Sequence, residues 1–163
     1  MKTYPIIFLD IDGVLNTLNH LKFQKSETGA ATNKIWSPIA CKHISLLCKH
    51  YDARIVITSS WRHEYSMDDL YRFFESNDIS AKYIVDRTPS NAPQTGGENY
   101  CRGHEINHWL KKRLRKISSY VIIDDEESML KEQEPHLVRV DKKTGFSTKE
   151  AVTKASKILE IKI

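Results

Sequence analysis

Asp10 and Asp12 stand two residues apart where a short apolar run ends, in Phe8-Leu9-Asp10-Ile11-Asp12-Gly13-Val14. Residues i and i+2 of an extended chain point to the same side, so the run aims two carboxylates together. Gly13 permits a sharp turn just beyond them. Two aligned carboxylates repel, and such a pair calls for a cation; hard oxygen ligands suit Mg²⁺. Taken alone, the pair fits a polar turn after a strand equally well. Ile55-Val56-Ile57 runs into Thr58-Ser59-Ser60, whose hydroxyls and backbone N–H groups can hold phosphate oxygens. Tyr120-Val121-Ile122-Ile123 runs into Asp124-Asp125, a second acidic pair. Either one alone is an ordinary strand-to-helix cap or turn. Apolar runs that all end in complementary polar groups point to one shared site. Arg102, at the start of a later helical pattern, adds a cation.

For these groups to meet, the runs must be parallel strands of one sheet. Ile6 to Leu9, Arg54 to Thr58, Lys82 to Val85, Tyr120 to Ile123 and Leu137 to Val140 read as strands. Helical patterns lie between them. Pro38 opens one through Ile39 to Tyr51. Ser66 to Asp69 resembles a capping box that starts a helix to about Asn77, and Ser147 to Glu150 a second that starts one to about Glu160. Gly103 to Lys116 is helical, with Ile106, Trp109, Leu110 and Leu114 on one side. Strands alternating with helices imply βαβ units with right-handed crossovers, hence a three-layer α/β/α sandwich. Ligands of such a sheet bind at the carboxyl ends of its strands. A helix leading into a parallel strand begins at that edge, so Arg102 can reach the acids.

Composition is ordinary for a globular protein: 163 residues, 40% apolar and 28% charged. That suits a single domain over residues 1–163, with aperiodic insertions at about 16–37 and 86–101. No apolar run approaches the ~18 residues of a membrane span. The first apolar run is too short, and too soon acidic, for a signal peptide. Cys41, Cys48 and Cys101 form no CxxC pair, which suits a reducing compartment. Cys41 and Cys48, seven apart in a helical pattern, are expected in the core. These features together predict a cytoplasmic protein. The net charge of +4 mildly favours an anionic partner. Much of it lies in Lys111, Lys112, Arg113, Arg115 and Lys116, ~14–21 Å along the helix from Arg102 and expected to point away from the site.

Together these segments resemble the haloacid dehalogenase-like (HAD) hydrolase superfamily, and within it the HAD-type domain of Swiss Army Knife RNA repair proteins. The likeness rests on Phe-Leu-Asp10-Ile-Asp12-Gly13-Val-Leu-Asn, Ile-Val-Ile-Thr58-Ser-Ser-Trp61-Arg62, Arg102-Gly-His-Glu-Ile-Asn-His-Trp109-Leu, and Val-Ile-Ile-Asp124-Asp125. It implies a Mg²⁺-dependent phosphatase. In that reading Asp10 attacks phosphorus and becomes an aspartyl phosphate. Asp12 protonates the leaving oxygen and then activates water. Thr58, Ser59 and Arg102 bind the phosphoryl group, with Lys111 and Lys112 as alternative cations. The metal is held by Asp10, the backbone carbonyl of Asp12 and the acidic pair, Asp125 ahead of Asp124. The resemblance further implies a phosphorylated substrate, such as an RNA or DNA end or a nucleotide. Members of the superfamily often carry a separate cap domain, but insertions as short as 16–37 and 86–101 leave no room for a full one, and neither a membrane nor an obligate protein partner is expected.

One motif competes. His104-Glu105-Ile106-Asn107-His108 matches HExxH, the pattern of a zinc metallopeptidase with Glu105 as general base. It would leave Asp10, Asp12, Gly13 and Thr58 without a role. A non-catalytic HAD-like binding module is the other alternative, and the full set of acids argues against it.

Overall fold

The computed structural model describes residues 3–25, 34–89 and 101–163. Strands β1 (Tyr4–Leu9), β2 (Arg54–Ile57), β3 (Ile84–Arg87), β4 (Ile117–Asp124) and β5 (Leu137–Arg139) form one sheet in the order β3-β2-β1-β4-β5. Every pairing is parallel. The helices are α1 (Leu18–Lys25), α2 (Pro38–Tyr51), α3 (Trp61–Glu64), α4 (Met67–Ser76), α5 (Arg102–Arg113) and α6 (Lys149–Glu160). The expected three-layer α/β sandwich is the one that forms.

A parallel sheet covered on both faces needs strands that are apolar on both sides, and Ile6, Ile7, Phe8 and Leu9 are all fully buried. Alternation then assigns partners. Ile7, Leu9, Ile55, Ile57, Val121 and Ile123 share a core with α2, α4 and α6. Ile6, Phe8, Val56 and Ile122 pack with Ile106, Trp109 and Leu110 of α5. Right-handed crossovers require this split. The β1-to-β2 and β2-to-β3 connections step one way along the sheet. The connection through α5 steps back across β1 to β4, and so lies on the opposite face. Among the described residues, no helix is long and apolar enough to cross a membrane.

Local expectations divide. The Ser66 capping box is present, with Ser66 and Asp69 each bonding the other's backbone N–H. Cys41 and Cys48 are buried on α2, and burial pushes both thiols up to about 12. The final helix starts one residue later than expected. The Thr148 hydroxyl accepts from Ala151 N at 3.2 Å, whereas the Ser147 hydroxyl donates to Thr144 O at 2.6 Å. Leu114 is exposed rather than buried, because α5 ends at Arg113 and tightens into a 3₁₀ turn. The third strand is Ile84–Arg87, so Asp86 and Arg87 belong to the sheet and not to the 86–101 insertion; residues 90–100 of that insertion lie outside the described residues. The 16–37 insertion contains α1, which has no apolar stripe: its one buried residue is His20. Capping holds it instead, with His20 N donating to the Thr17 hydroxyl at 3.2 Å and Leu18 N to Lys142 O at 3.1 Å.

Gly145 seats the segment after β5 on the turn after β1. It has φ +61, and a Cβ there would lie 2.2 Å from Val14 O, the carbonyl that accepts from Phe146 N at 3.0 Å. Gly145→Ala is therefore expected to cost ~2 kcal/mol or more through backbone strain and overlap. Equilibrium urea unfolding would read it, and an unchanged midpoint would show that the two segments part freely.

Candidate active site

The sheet's backbone ladder continues one step past the strands. Asp10 N donates to Ile123 O at 3.1 Å, and Thr58 N to Leu9 O at 3.0 Å. Main-chain bonds thus fix both residues at the carboxyl edge, on the side of the sheet that α5 covers. Oxygens of Asp10, Asp124 and Asp125 come within 4.8 Å of one another. Asp10 and Asp124 are buried, and Asp125 is half-buried. Arg102, from the first turn of α5, places Nη1 3.0 Å from Asp10 Oδ2 and 2.5 Å from Asp124 Oδ2. Gly13 (φ +75) leaves room for the Asp125 carboxyl, since a Cβ on it would sit 2.5 Å from Asp125 Cγ. A pocket of about 320 Å³ opens here, lined by Asp10, Asp12, Asn16, Ser60, Arg102 and Asp125. Leu18 and Leu21 of α1, together with Lys142, form part of its rim.

Asp12 is exposed and held from both sides. Asn16 Nδ2 donates to its Oδ1 at 2.8 Å, and Trp61 Nε1 to its Oδ2 at 2.9 Å. Trp61 is itself wedged against Trp36, Tyr65 and Phe73, with ring centroids 5.2–5.7 Å apart. Its body is core packing and its N–H is site chemistry.

The Thr58 hydroxyl is fully buried and has no hydrogen-bond partner. The Ser59 hydroxyl accepts from Trp61 N at 3.4 Å and shapes the turn. Beneath both lies Arg62, which is 4% exposed. Its Nη1 donates to Thr58 O at 2.5 Å and Ser59 O at 2.7 Å, and its Nη2 pairs with Glu105. This buried ion pair ties the Thr58–Ser59 turn to the helix that carries Arg102.

A family model for the HAD domain in Swiss Army Knife RNA repair proteins matches residues 6–151, a span that takes in every one of these side chains. The chain belongs to that family. Neither the comparison with curated proteins nor that with solved structures gives a match. As a HAD domain, the chain is part of a hydrolase superfamily that includes phosphatases.

In this HAD domain the HExxH segment has a different job. Glu105 is buried against Arg62. Among the described residues, the metal-competent cluster is Asp10, Asp124 and Asp125, without His104 or His108. Lys111 is exposed on α5 and Lys112 lines a different cavity, so Arg102 is the α5 cation beside the acids. Sequence reading missed the two donors to Asp12 and the Arg62–Glu105 pair. The one available signal was Arg62 four residues beyond Thr58, within reach of its carbonyl once a helical turn follows the strand.

Electrostatics follow from crowding. Burial pushes the Asp124 carboxyl up to about 7, and Asp10 adds to the rise against the pull of Arg102. Asp125 is raised as well, by burial first and Asp10 second. Burial works to lower the Arg102 pKa, but Asp10 and Asp124 outweigh it and hold the guanidinium above its ordinary value.

Two outcomes are expected. A carboxyl whose folded pKa is raised stabilises the fold fully below its unfolded value, and that contribution is lost as pH rises through the folded value. For Asp124 the window runs from 3.8 to about 7. In EDTA, Asp124→Asn should therefore gain in Tm relative to wild type as pH goes from 5 to 8; a constant difference would contradict the raised pKa. Glu105→Gln should destabilise by ~3–5 kcal/mol, the penalty for leaving a buried charge unpaired. A Glu105→Gln protein of wild-type stability but no activity would instead restore the zinc reading.

Proposed function

We propose that this HAD domain is a Mg²⁺-dependent phosphomonoester hydrolase that works through an aspartyl phosphate on Asp10. One observation carries the reading: Asp10 and Asp125 share a pocket with Arg102, beside a buried Thr58 hydroxyl with no partner. That hydroxyl and that guanidinium are donors suited to phosphoryl oxygens.

The residues fit a hard divalent cation. The cluster offers carboxylate oxygens only, and the turn at Gly13 leaves space for the carboxyl of Asp125. Asp10, Asp125 and the Asp12 carbonyl would hold the ion. Asp124 has both oxygens engaged, by Arg102 and by Glu126 N at 2.9 Å, and so serves to orient its neighbours. When bound, Mg²⁺ offsets negative charge on the phosphoryl oxygens.

In the first step an Asp10 oxygen forms a bond to phosphorus while the ester P–O bond breaks. The departing oxygen takes the proton of Asp12. In the second step the Asp12 carboxylate takes a proton from water as its oxygen attacks phosphorus. The P–O bond to Asp10 breaks, which returns the Asp10 carboxylate and releases inorganic phosphate. Asn16 and Trp61 hold Asp12 for both roles. The Asn16 amide can turn its buried, unpartnered Oδ1 toward a protonated Asp12, or its Nδ2 toward the carboxylate. The family's description, together with the net charge of +4, supports a nucleic-acid or nucleotide phosphate end as substrate. The free thiols Cys41, Cys48 and Cys101 suit a reducing compartment such as the cytoplasm.

Phosphate release from a generic aryl phosphate, present with Mg²⁺ and abolished by EDTA, tests the reading against a binding-only module. Asp10→Asn should lower kcat by at least ~10³-fold because the covalent route is lost; near-normal turnover by purified Asp10→Asn protein would refute the assignment. Asp12→Asn should lose most on substrates with poor leaving groups, which depend most on the acid. An equal loss across leaving groups would remove Asp12 from that role.

A further inference from the structure

At the end of β3 a second cavity, of about 410 Å³, opens between that strand and α5. Two of its positive charges are already balanced. Arg62 is paired with Glu105, and Arg113 with Asp86 at 2.8 Å. Arg87 and Lys112, which also line it, have no carboxylate partner among the described residues. Arg87 directs Nη1 to Arg62 O at 2.7 Å and Tyr65 O at 3.1 Å, which leaves its other nitrogens for a ligand. His108 adds an imidazole to the wall.

Two buried polar atoms in this wall lack partners: the Thr88 hydroxyl, on a residue 1% exposed, and Arg62 Nε. Buried donors without acceptors are costly. Both residues line the cavity together with Arg87 and Lys112, and an oxygen-rich anion held there would offer them acceptors. The cavity is also in register with the active site. Thr88 N donates to Ile57 O at 3.0 Å, as Thr58 N does to Leu9 O. Asp10, Thr58 and Thr88 therefore form a row along the carboxyl edge, on one face, with Thr88 about 10 Å from Asp10 at two strand spacings. Along α5, His108 and Lys112 follow Arg102 by ~9 and ~15 Å.

We propose that this cavity is a second phosphate-binding site, which holds another phosphate of the substrate whose terminal phosphate meets Asp10. The proposal rests on the phosphatase reading for its first contact point. Two sources share the chemistry: the next phosphodiester of a nucleic-acid strand, or the second monoester of a small bisphosphate.

The test is calorimetric binding to Asp10→Asn protein in Mg²⁺, with a nucleoside 5′-monophosphate, the matching 5′-phosphorylated dinucleotide and a nucleoside 3′,5′-bisphosphate. A two-phosphate probe should bind at least ~10-fold more tightly than the monophosphate, the effect of one or more charge-assisted hydrogen bonds. Adding Thr88→Val or Lys112→Gln should remove most of that advantage. A gain for the dinucleotide alone assigns the site to a strand phosphodiester, and a gain for the bisphosphate alone assigns it to small bisphosphates; either keeps the site. Equal binding of one- and two-phosphate probes would overturn it. So would an advantage that survives both substitutions while Thr88→Val raises Tm, because the hydroxyl would then be only a packing defect. If wild-type protein releases no phosphate from any probe while the binding advantage holds, the phosphatase reading fails and the second site stands. If phosphate is released but the two-phosphate probes bind no better, the second site fails and the phosphatase reading stands.

Discussion

Like charges held together at the edge of the sheet are the constraint around which this molecule is arranged. Asp10, Asp124 and Asp125 bring oxygens within 4.8 Å of one another, and two of the three are buried. Repulsion and desolvation both oppose that arrangement. The fold imposes it because Asp10 and Asp124 stand at the ends of adjacent strands whose backbones are locked by the ladder. Arg102 supplies the nearest opposing charge, and a single guanidinium between two carboxylates leaves the cluster short of positive charge. In the proposed reaction a metal ion would make up that shortfall, with Arg102 already fixed beside it.

The rigidity of the site comes from one level below it. Arg62 and Glu105 touch no part of the pocket that Asp10 lines, yet they join the Thr58–Ser59 turn to α5. Without that link, the buried Thr58 hydroxyl and Arg102 would ride on separate elements. A buried pair is weak evidence for net stability; its value here is that it fixes the relative positions of two groups. Glu105 of the HExxH pattern is thus accounted for by a neighbour 43 residues away in sequence, which no local inspection of residues 104–108 could have revealed.

The same division runs through what the sequence disclosed. The parallel sheet and the carboxyl ends of β1, β2 and β4 were legible, because alternation and crossover handedness act on short windows and admit few solutions. Asp10, Asp12, Thr58, Asp124 and Asp125 were legible as a group because each stands at such an end, and Arg102 joined them because its helix begins at the same edge. Helix α1 was not: it is held by the Thr17 cap and by backbone bonds to Lys142 and Lys143, which leave no apolar period to read. The donors to Asp12 were not legible either. Asn16 belongs to an aperiodic stretch, and nothing local to Trp61 marks its ring as core or its N–H as a donor to Asp12.

Parity links these positions. Along β1, β2 and β4, the residues that face α5 include Phe8, Val56 and Ile122, and two positions further on stand Asp10, Thr58 and Asp124. The helix that covers this side of the core also carries Arg102 at its first turn and Glu105 one turn in. The apolar contacts of Ile106 and Trp109 that seat α5 on the sheet therefore also set the rotation at which Arg102 meets the acids. A slip of one residue in any of these strands would turn its site residue to the other face, toward α2, α4 and α6. The hydrophobic pattern specifies the register, and the register assembles the chemistry. Thr88, two positions beyond Asp86 on the edge strand, obeys the same parity, so the second cavity opens on the same face as Asp10.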